Sequence, residues 1–468
     1  MSISEVPKAP LRGEVIHEGR RHPFEVLGAR RSALEVRFTN GTLPVDRMEV
    51  EGAEVTLIAD PIAIGRCRVE GHRGVGDVAM AHIIPTETPL RCDDLYKRRL
   101  VVRLDQGFDQ TALLQRRKAE IRPEFRAYTA DLVYDLAIYR QLFDEIDASL
   151  ANEKPETAAL VRDSVRAKQG RAFLRFFDER LAQLETMVAG FTRAEHERHG
   201  FYFRRNVWGN ILTSAFLART NIRPRGYAGD SMMMQQLYDN SYQGDSLFGQ
   251  LMHKHPIETA AAQAVRNRRK LLVDLIEAAY RDRPDPSRAL RILSVACGPA
   301  WEVRDLFTRA EDAARFSCTL LDQDEEALGE AEHHIHLVGT RLEAPVQAKY
   351  LRDSVRTMLM SKDIVAQFGK HDFIYSMGLF DYLTAPVARS VLTRLYELLE
   401  PGGRMVIGNF HVENPTRTYM EYWMDWVLLY RHEDDFQALG RELPGATFEI
   451  YREETRSQMF LDVRKPRG

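Results

Sequence analysis

RILSVACGPAWEVRDLF, residues 291–307, is the stretch that decides the fold of this chain. Its first six residues are mostly apolar and predict a buried strand, and the residues from Trp301 onward predict a helix. Between them lies a turn of small residues, Ala296-Cys297-Gly298-Pro299-Ala300, over which a ligand can lie close to the backbone. Alanine can replace glycine in such a turn where the local φ is negative. The stretch therefore predicts a strand–turn–helix unit that binds a ligand.

Further apolar stretches follow this unit, and most of them are separated by stretches with helical periodicity. Strand–helix alternation with apolar strands predicts a parallel sheet that is covered on both faces. Such sheets bind ligands beyond the carboxyl ends of their strands, at the topological switch point. We therefore predict an α/β domain over residues 286–468, with later strands at FSCTLLD (316–322), QAKYLRD (347–353), DFIYSMG (372–378) and RMVIGNF (404–410).

Asp322 ends the second predicted strand, 24 residues beyond Gly298. A carboxylate at this position can accept hydrogen bonds from both hydroxyls of a ribose. The alternative role is a helix N-cap, since QDEEAL follows directly. Asp324 suits the cap better, which leaves the strand end to Asp322.

This ordered set of motifs resembles the class I, Rossmann-like S-adenosylmethionine-dependent methyltransferases. Their first motif is an acidic residue followed by GxGxG, and here Gly298 alone is kept, while Ala296 and Ala300 replace the other glycines. Ser294 stands where the acid is common. A Leu-Glu-Pro-Gly-Gly turn like that at 399–403 is also typical of the family. The competing class, an NAD-dependent Rossmann dehydrogenase, would require a GxGxxG motif, which this chain lacks.

The resemblance implies S-adenosylmethionine as the cofactor. It also implies that Asp353 and Ser354 lie near the adenine amino group, and that Asp381 and Tyr382 lie close to the transferred methyl. We take Tyr382 as a candidate catalytic residue. The residues that the resemblance places against the cofactor are Ala296, Cys297, Gly298, Asp322, Gln323, Asp353, Ser354, Ser376, Met377 and Gly378.

A helical lid is predicted directly upstream of the sheet, over residues 206–285. It contains the loop Arg225-Gly226-Tyr227-Ala228-Gly229-Asp230. A lid that excludes water suits methyl transfer from a sulfonium, because a dry and pre-oriented pocket accelerates an in-line displacement. Tyr227 and Asp230 are candidate catalytic residues, and Arg225 and Arg268 could bind a substrate carboxylate. The methionines at 232–234 indicate core packing rather than a substrate groove.

This loop joined to such a core is similar to bacterial proteins grouped with fatty-acid carboxyl methyltransferases, which are associated with 3-hydroxy fatty acid methyl ester signals. The similarity covers roughly residues 200–468. It implies O-methylation of a carboxylate, which needs little base catalysis because the nucleophile is already anionic. Two alternatives stay open. One is N- or O-methylation of a natural-product precursor or a protein, and the other is a non-catalytic, cofactor-binding signalling protein.

Histidines add one further candidate. His411 follows the fifth predicted strand and could be a general base for a hydroxyl or amine acceptor, although a hydrogen-bonded loop histidine is the commoner role. His333, His334 and His336 lie in a predicted helix without the i, i+4 spacing of a zinc motif. We therefore predict no metal site.

The first 98 residues predict a small closed β-barrel, because short strands that alternate with turn residues leave no open edge when they close. FEVLGA, ALEVRF, RMEVEGAEVTLIAD, IGRCRVEG and DVAMAHIIP are the predicted strands. The pattern resembles a degenerate PilZ-type barrel, with EGRRHPF (18–24) and LGARRSALEV (27–36) in place of the cyclic-dinucleotide motifs. A docking or dimerisation module that binds a protein partner or a second copy is favoured over a cyclic-dinucleotide site. Residues 99–205 predict amphipathic helices, with a break at NEKPE (152–156).

The composition disfavours several classes of protein. Lys and Arg number 65 against 68 acidic residues, so the chain carries no electrostatic footprint for nucleic acid. The four cysteines form no CxxC pair, which argues against structural zinc or a disulfide framework and fits a reducing cytoplasm. The first 15 residues lack the apolar run of a secretory signal, and 18 apolar residues never run together. We therefore expect a cytoplasmic protein without a transmembrane segment.

Overall fold

The computed structural model describes residues 11–30, 33–39, 47–56, 61–72, 80–87, 115–283 and 285–467. The chain divides into two units, Met1–Ile121 and Arg122–Gly468. The first unit contains a β-barrel, and the second contains helices and a seven-stranded sheet with both parallel and antiparallel strands. The predicted α/β class, with a Rossmann-like sheet, a helical lid, a preceding helical region and a small N-terminal barrel, is confirmed.

The barrel closes in the order β1-β2-β3-β6-β5-β4, and its neighbouring strands are antiparallel. Alternate residues point inward, which buries Val15, Phe24, Val36 and Val55 in one apolar core. Arg31 and Ser32 of the second PilZ-like motif lie outside the described residues. The strands are β1 Leu11–His17, β2 Arg20–Arg30, β3 Ala33–Phe38, β4 Arg47–Thr56, β5 Pro61–His72 and β6 Met80–Pro85.

Helices occupy the chain from residue 123 to residue 282. The first begins with Pro123 at its N-terminus, and NEKPE forms the predicted break before the second. A capping box between Thr192 and Glu195 starts the fourth. Of the region predicted to be helical, residues 99–114 lie outside the described residues, and residues 115–120 are helical. The helices are α1 Pro123–Ser149, α2 Pro155–Val165, α3 Arg171–Val188, α4 Arg193–Ile211, α5 Ala215–Ile222, α6 Ser231–Asp239, α7 Leu247–Ile257 and α8 Ala260–Asp282, with a π-helical turn at Arg166–Gly170.

The second unit is built on a sheet in the order β12-β13-β11-β10-β7-β8-β9. Strands β7 to β11 are parallel, as predicted, while β13 is antiparallel to both β11 and β12. The final two strands were not predicted. The strands are β7 Leu290–Val295, β8 Phe316–Asp322, β9 Gln347–Arg352, β10 His371–Ser376, β11 Leu399–Phe410, β12 Thr447–Arg452 and β13 Gln458–Arg464.

The predicted Pro-Gly-Gly turn is not separate from the fifth strand. β11 already begins at Leu399, and its register against β10 shifts between His371 and Phe373. Gly402 has a φ of +76°, which lets the strand pass through this irregularity.

Shorter helices connect the strands and cover the sheet. Apolar residues on both faces of the sheet form two buried clusters, one around Leu293 and Ile407 and the other around Ile292 and Phe373. No helix among the described residues is long and apolar enough to cross a membrane. The helices are α9 Trp301–Leu306, α10 Asp312–Arg315, α11 Glu325–Leu342, α12 Val355–Met360, α13 Ile364–Phe368, α14 Ala385–Glu397, α15 Arg417–Trp423 and α16 Glu433–Ala438, with short 3-10 turns at Lys118–Glu120 and Phe380–Tyr382.

The segment after β11, residues 411–431, ties the lid to the rest of the second unit. Asn221 of α5 donates a 2.8 Å hydrogen bond to the carbonyl of Trp423. Arg204, in the part of α4 that precedes the lid, also donates to the carbonyl of Glu421 at 2.9 Å. The segment is therefore part of the surroundings of the site described next.

Candidate active site

A cavity of about 520 Å³ lies at the carboxyl ends of β7, β8 and β10. Strand β7 has β8 on one side and β10 on the other, so this is the topological switch point of the sheet. The lid forms the wall opposite the strand ends. Of the residues predicted to act in binding or catalysis, those that line the cavity are Tyr227, Arg268, Ala296, Cys297, Gly298, Asp322, Gln323, Asp353, Ser354, Met377, Gly378 and Tyr382.

The turn after β7 has a left-handed backbone at three alternate positions. The φ angles are +54° at Ala296, +55° at Gly298 and +48° at Ala300. The condition of a negative φ at the two alanines is therefore not met. A hydrogen bond to β8 helps to fix this conformation, because the Cys297 N–H donates to the carbonyl of Leu321 at 3.1 Å. Ala296 and Ala300 thus hold a left-handed backbone, the conformation that glycine adopts without strain.

Restoring the glycines is expected to stabilise the protein. A residue with a Cβ at positive φ is strained by roughly 1–2 kcal/mol, while glycine loses about 0.5–1 kcal/mol of entropy on folding. Ala296→Gly and Ala300→Gly should each raise the free energy of unfolding by roughly 0.5–1 kcal/mol, as measured by urea unfolding. Ala182→Gly, in the exposed middle of α3, should lower it by about 1 kcal/mol. A lower free energy of unfolding in all three variants would contradict the prediction that Ala296 and Ala300 are strained.

Asp322 is buried at the end of β8 and holds the turn in place. Its Oδ2 accepts a 2.9 Å hydrogen bond from the Gly298 N–H, and its Oδ1 accepts one of 3.0 Å from the Asp324 N–H. Burial raises the pKa of Asp322. Each carboxylate oxygen has a second acceptor site, so two ligand hydroxyls can still bind. Asp324 accepts from Glu326 N–H and Ala327 N–H, which confirms it as the N-cap of α11.

Asp353 and Ser354 lie at the cavity rim after β9. The Asp353 carboxylate accepts hydrogen bonds from the Ser354 N–H at 2.8 Å and from Gln367 at 3.2 Å. The Ser354 hydroxyl caps α12 by accepting from the Thr357 N–H. The sequence signal for this cap, a serine directly before a helical stretch, was not used in the prediction.

The end of β10 forms the floor of the cavity. Ser376 does not line it, because the Ser376 hydroxyl donates to the carbonyl of Val295 at 2.8 Å and joins β10 to β7. Gly378 and Gly298 both face open space, since a Cβ built on either would meet no atom within 4 Å. A ligand can therefore lie directly on the backbone at both glycines.

Arg268 is a buried cation that faces the cavity from α8. Its Nη1 donates to the carbonyl of Met377 at 3.2 Å, and its Nη2 lies 3.6 Å from the sulfur of Met234. In the described part of the chain, no carboxylate lies within ion-pair distance of it. The carboxyls of Glu302 and Asp381 interact with Arg268 electrostatically without pairing with it. A buried guanidinium without an ion-pair partner is suited to bind an anionic ligand.

Arg225 and Tyr227 fasten the lid to the start of α11. The Arg225 guanidinium lies 3.2 Å from Asp324, 2.7 Å from Glu326 and 3.1 Å from Glu330. The Tyr227 hydroxyl donates to Asp324 Oδ2 at 2.9 Å. Arg225 does not line the cavity. The structure therefore places Arg225 in ion pairs that anchor the lid. Tyr227 lies at the cavity edge, and its hydroxyl hydrogen bonds to Asp324.

Asp230 is buried away from the cavity and has structural partners for both carboxylate oxygens. Arg219 donates to each oxygen at 2.8 Å, and the Met233 N–H donates to Oδ1 at 3.1 Å. Asp230 is therefore the N-cap of α6. Its position before a helical stretch signals this cap.

Tyr382 faces the cavity with its hydroxyl bound on both sides. The indole Nε1–H of Trp426 donates to it at 2.7 Å, and it donates to the carbonyl of Ala228 at 3.1 Å. The neighbouring Asp381 is buried, accepts from the Phe410 N–H at 2.7 Å and does not line the cavity. Burial raises the pKa of Asp381 to about 7.

The raised pKa of Asp381 predicts a dependence of stability on pH. Because the folded-state pKa lies above the ordinary value of 3.8, this carboxyl stabilises the fold when protonated, and the contribution is lost as the pH rises through about 7. The free energy of unfolding of Asp381→Asn, relative to that of the wild type, should therefore be higher at about pH 8 than at about pH 5. Urea unfolding at both pH values measures this. Asp239→Asn, at an exposed carboxyl, is the control, and parallel curves for wild type and Asp381→Asn would contradict the prediction.

His411 is buried beyond the end of β11 and does not line the cavity. Its Nε2 lies 3.0 Å from Glu433 and 2.8 Å from the guanidinium of Arg452, and its Nδ1 accepts from the Glu413 N–H. Among the described residues, His411, His432 and Glu433 could together hold a metal ion. The Arg452 guanidinium contacts the same histidine nitrogen and Glu433, so a cation already occupies this position.

Glu302, Tyr375 and Trp301 are among the cavity residues that were not predicted as site residues. Glu302, in the first turn of α9, accepts a 2.7 Å hydrogen bond from the Tyr375 hydroxyl, and burial raises the pKa of Glu302. The indole Nε1–H of Trp301 is buried and has no hydrogen-bond partner within the described ranges. Their positions in the sequence could have indicated this. Trp301 and Glu302 lie in the first turn of the helix after the small-residue turn, and Tyr375 lies near the end of β10.

No family model matches the chain, and no curated protein matches it at a significant level. Among solved structures, a possible exported protein from Bordetella parapertussis has 17% identity and a TM-score of 0.44, over 67% of this chain and 99% of that one. Magnesium protoporphyrin IX methyltransferase from Synechocystis PCC 6803 with bound SAH has 14% identity and a TM-score of 0.34, over 50% and 95%. N-methyltransferase NodS from Bradyrhizobium japonicum WM9 has 15% identity and a TM-score of 0.29, over 43% and 96%. Likenesses this distant do not assign an activity to the chain.

Proposed function

We propose that the chain is an S-adenosylmethionine-dependent methyltransferase whose acceptor is the carboxylate of a small or lipid-like molecule, such as a hydroxy fatty acid. The observation that carries this proposal is one cavity at the switch point that combines Asp322 at the end of β8 with the buried cation Arg268. The first suits a ribose and the second suits an acidic acceptor.

The cavity fits the cofactor in shape and in chemistry. The bare backbone at Gly298 and Gly378 leaves room for a ligand that lies across the strand ends. Asp322 would accept hydrogen bonds from the ribose hydroxyls, and Asp353 at the rim would bind the adenine amino group. When bound, the cofactor supplies a methyl group on a positively charged sulfur.

The positions of the candidate bases support a carboxylate acceptor. A hydroxyl or amine acceptor needs a base to take its proton, whereas a carboxylate is already anionic at neutral pH. His411 lies outside the cavity, and the hydroxyls of Tyr227 and Tyr382 already donate to Asp324 and to the carbonyl of Ala228. Orientation of the acceptor by Arg268 and exclusion of water by the lid are then sufficient for transfer.

The barrel is proposed as a docking module for a protein partner. In the described strands, Arg21 pairs with Glu14, while Arg12 and Arg37 both pair with Glu25. Arginines that are already neutralised in this way are less available to a nucleotide phosphate. A binding assay of cyclic dinucleotides on the full chain tests this, and saturable binding would contradict the docking role.

Transfer of tritium from methyl-labelled S-adenosylmethionine tests the proposed activity. The acceptors are 3-hydroxy fatty acids, together with the matching alcohols and amines that lack the carboxylate. We expect label in the acids as base-labile methyl ester and none in the alcohols. Turnover of an amine or a hydroxyl, with none of any acid, would contradict the proposed acceptor.

A further inference from the structure

A second, smaller void lies beside the cofactor cavity, between α5, α6, α7, α8 and α15. It measures about 20 Å³, and its wall is almost entirely apolar, with Phe216, Leu237, Val265 and Trp426 among its lining residues. The two threonines in its wall are Thr259 and Thr416, and their hydroxyls accept from backbone N–H groups of α8. Only an apolar group can therefore enter without losing hydrogen bonds.

The void and the cavity are lined by neighbouring turns of the same two helices. On α6, Met234 lines the cavity and Leu237, three residues later, lines the void. On α8, Arg268 lines the cavity and Val265, three residues earlier, lines the void. Residues three apart lie on the same face of a helix. A molecule whose carboxylate binds Arg268 would thus direct its tail along α8 towards the void.

Trp426 lies between the void and the cavity. Its indole lines the void, and its Nε1–H donates to the Tyr382 hydroxyl on the cavity wall at 2.7 Å. Its ring also packs directly on Gly229, because a Cβ built on that glycine would lie 2.6 Å from Cζ2 of the indole. Trp426 is 9% exposed, so it fills the space between cavity and void rather than facing solvent.

Flexible side chains surround the void on the side of α15. Met420 and Met424 both line it. Methionine has three rotatable bonds and adapts to irregular spaces, so these two side chains can repack around an inserted chain.

We propose that Trp426 is a specificity-determining residue that limits the length of the acceptor's apolar tail, and that the void behind its indole can receive a longer tail only when the indole is removed. The proposal rests on the proposed function, since Arg268 must hold the carboxylate for the tail to point this way. The occupant is the alkyl chain of a carboxylic acid. Wild-type protein should prefer acids whose chain ends at the indole.

Methyl transfer to straight-chain acids of increasing length tests this proposal, with kcat/KM measured for each acid in wild type, Trp426→Ala and Trp426→Phe. One methylene in a hydrophobic pocket changes kcat/KM by roughly 10–200-fold. The ratio of long-chain to short-chain kcat/KM should therefore rise at least about tenfold in Trp426→Ala. Trp426→Phe keeps a ring in the partition and should stay closer to wild type. An unchanged length profile in Trp426→Ala would overturn the proposal.

Two controls separate the causes of a negative result. Trp208→Ala removes an indole from α4 that lines neither space, and its length profile should equal that of wild type. Trp426→Leu replaces Trp426→Ala if the latter loses cofactor affinity by calorimetry. If wild type binds the cofactor but methylates no acid of any length, the proposed function fails and this proposal fails with it. If acids are methylated and the dependence of kcat/KM on chain length is the same in all variants, only the proposed role of Trp426 fails.

Discussion

Asp322→Ala is expected to weaken the binding of S-adenosylmethionine by about 1–3 kcal/mol, which is roughly 5–150-fold in Kd. The physical reason is the loss of a carboxylate that can accept hydrogen bonds from both ribose hydroxyls at the end of β8. The same change leaves the Gly298 N–H without its 2.9 Å acceptor, which adds to the effect. Isothermal titration calorimetry measures the affinity.

Asp363→Ala is the matched control for this prediction. Asp363 is an exposed carboxylate that caps α13 and does not line the cavity. Its replacement should lower stability by about 1 kcal/mol through the lost cap and leave the affinity for the cofactor unchanged. Equal affinities in wild type and Asp322→Ala would show that the strand end does not hold the ribose.

Arg268→Met is expected to cause the largest loss of transfer to a carboxylate acceptor. Removing a buried charge that pairs with a ligand charge costs about 2–5 kcal/mol, so kcat/KM for the acid should fall by at least roughly 30-fold. Methionine preserves much of the apolar stem and limits the cavity left in α8. Initial rates at saturating cofactor measure this loss, and calorimetry should show an unchanged cofactor affinity.

Lys270→Met provides the comparison for Arg268→Met. Lys270 is an exposed cation on the same helix, so its removal tests whether the net charge of α8 matters. We expect wild-type rates for Lys270→Met and partial activity for Arg268→Lys, which keeps the charge without the planar fork. Full activity of Arg268→Met on acids would place the acceptor carboxylate elsewhere.

The parallel part of the sheet could be predicted because most of its strands contain short apolar stretches that are separated by helical stretches. This is why Asp322 was placed at the end of β8 and Asp324 at the start of α11. Strands β12 and β13 were missed because they follow a long segment without strand–helix alternation and run antiparallel. β12 is only partly buried, with the weak alternation of an outer strand.

The site was predictable where a residue lies at its own strand end, as Asp322 does, and for the lid residues Tyr227 and Arg268, which also line the cavity. The positive φ of Ala296 and Ala300 could not be predicted, because the turn is fixed by hydrogen bonds that its own N–H groups donate to Leu321 and Asp322 on the neighbouring strand. Arg225 looked available to a substrate because its partner Asp324 lies 99 residues away in sequence. His411 is likewise removed from the cavity by Glu433 and Arg452, on elements that follow later in the chain.

The most direct test of the central claim is calorimetry of the intact chain with S-adenosylmethionine and with S-adenosylhomocysteine. A cavity that holds the cofactor across Gly298 and Asp322 should bind both compounds at one site per chain, and Asp322→Ala should weaken both. If neither compound binds wild-type protein, the cavity at the switch point is not a cofactor site, and the proposed methyl transfer is contradicted.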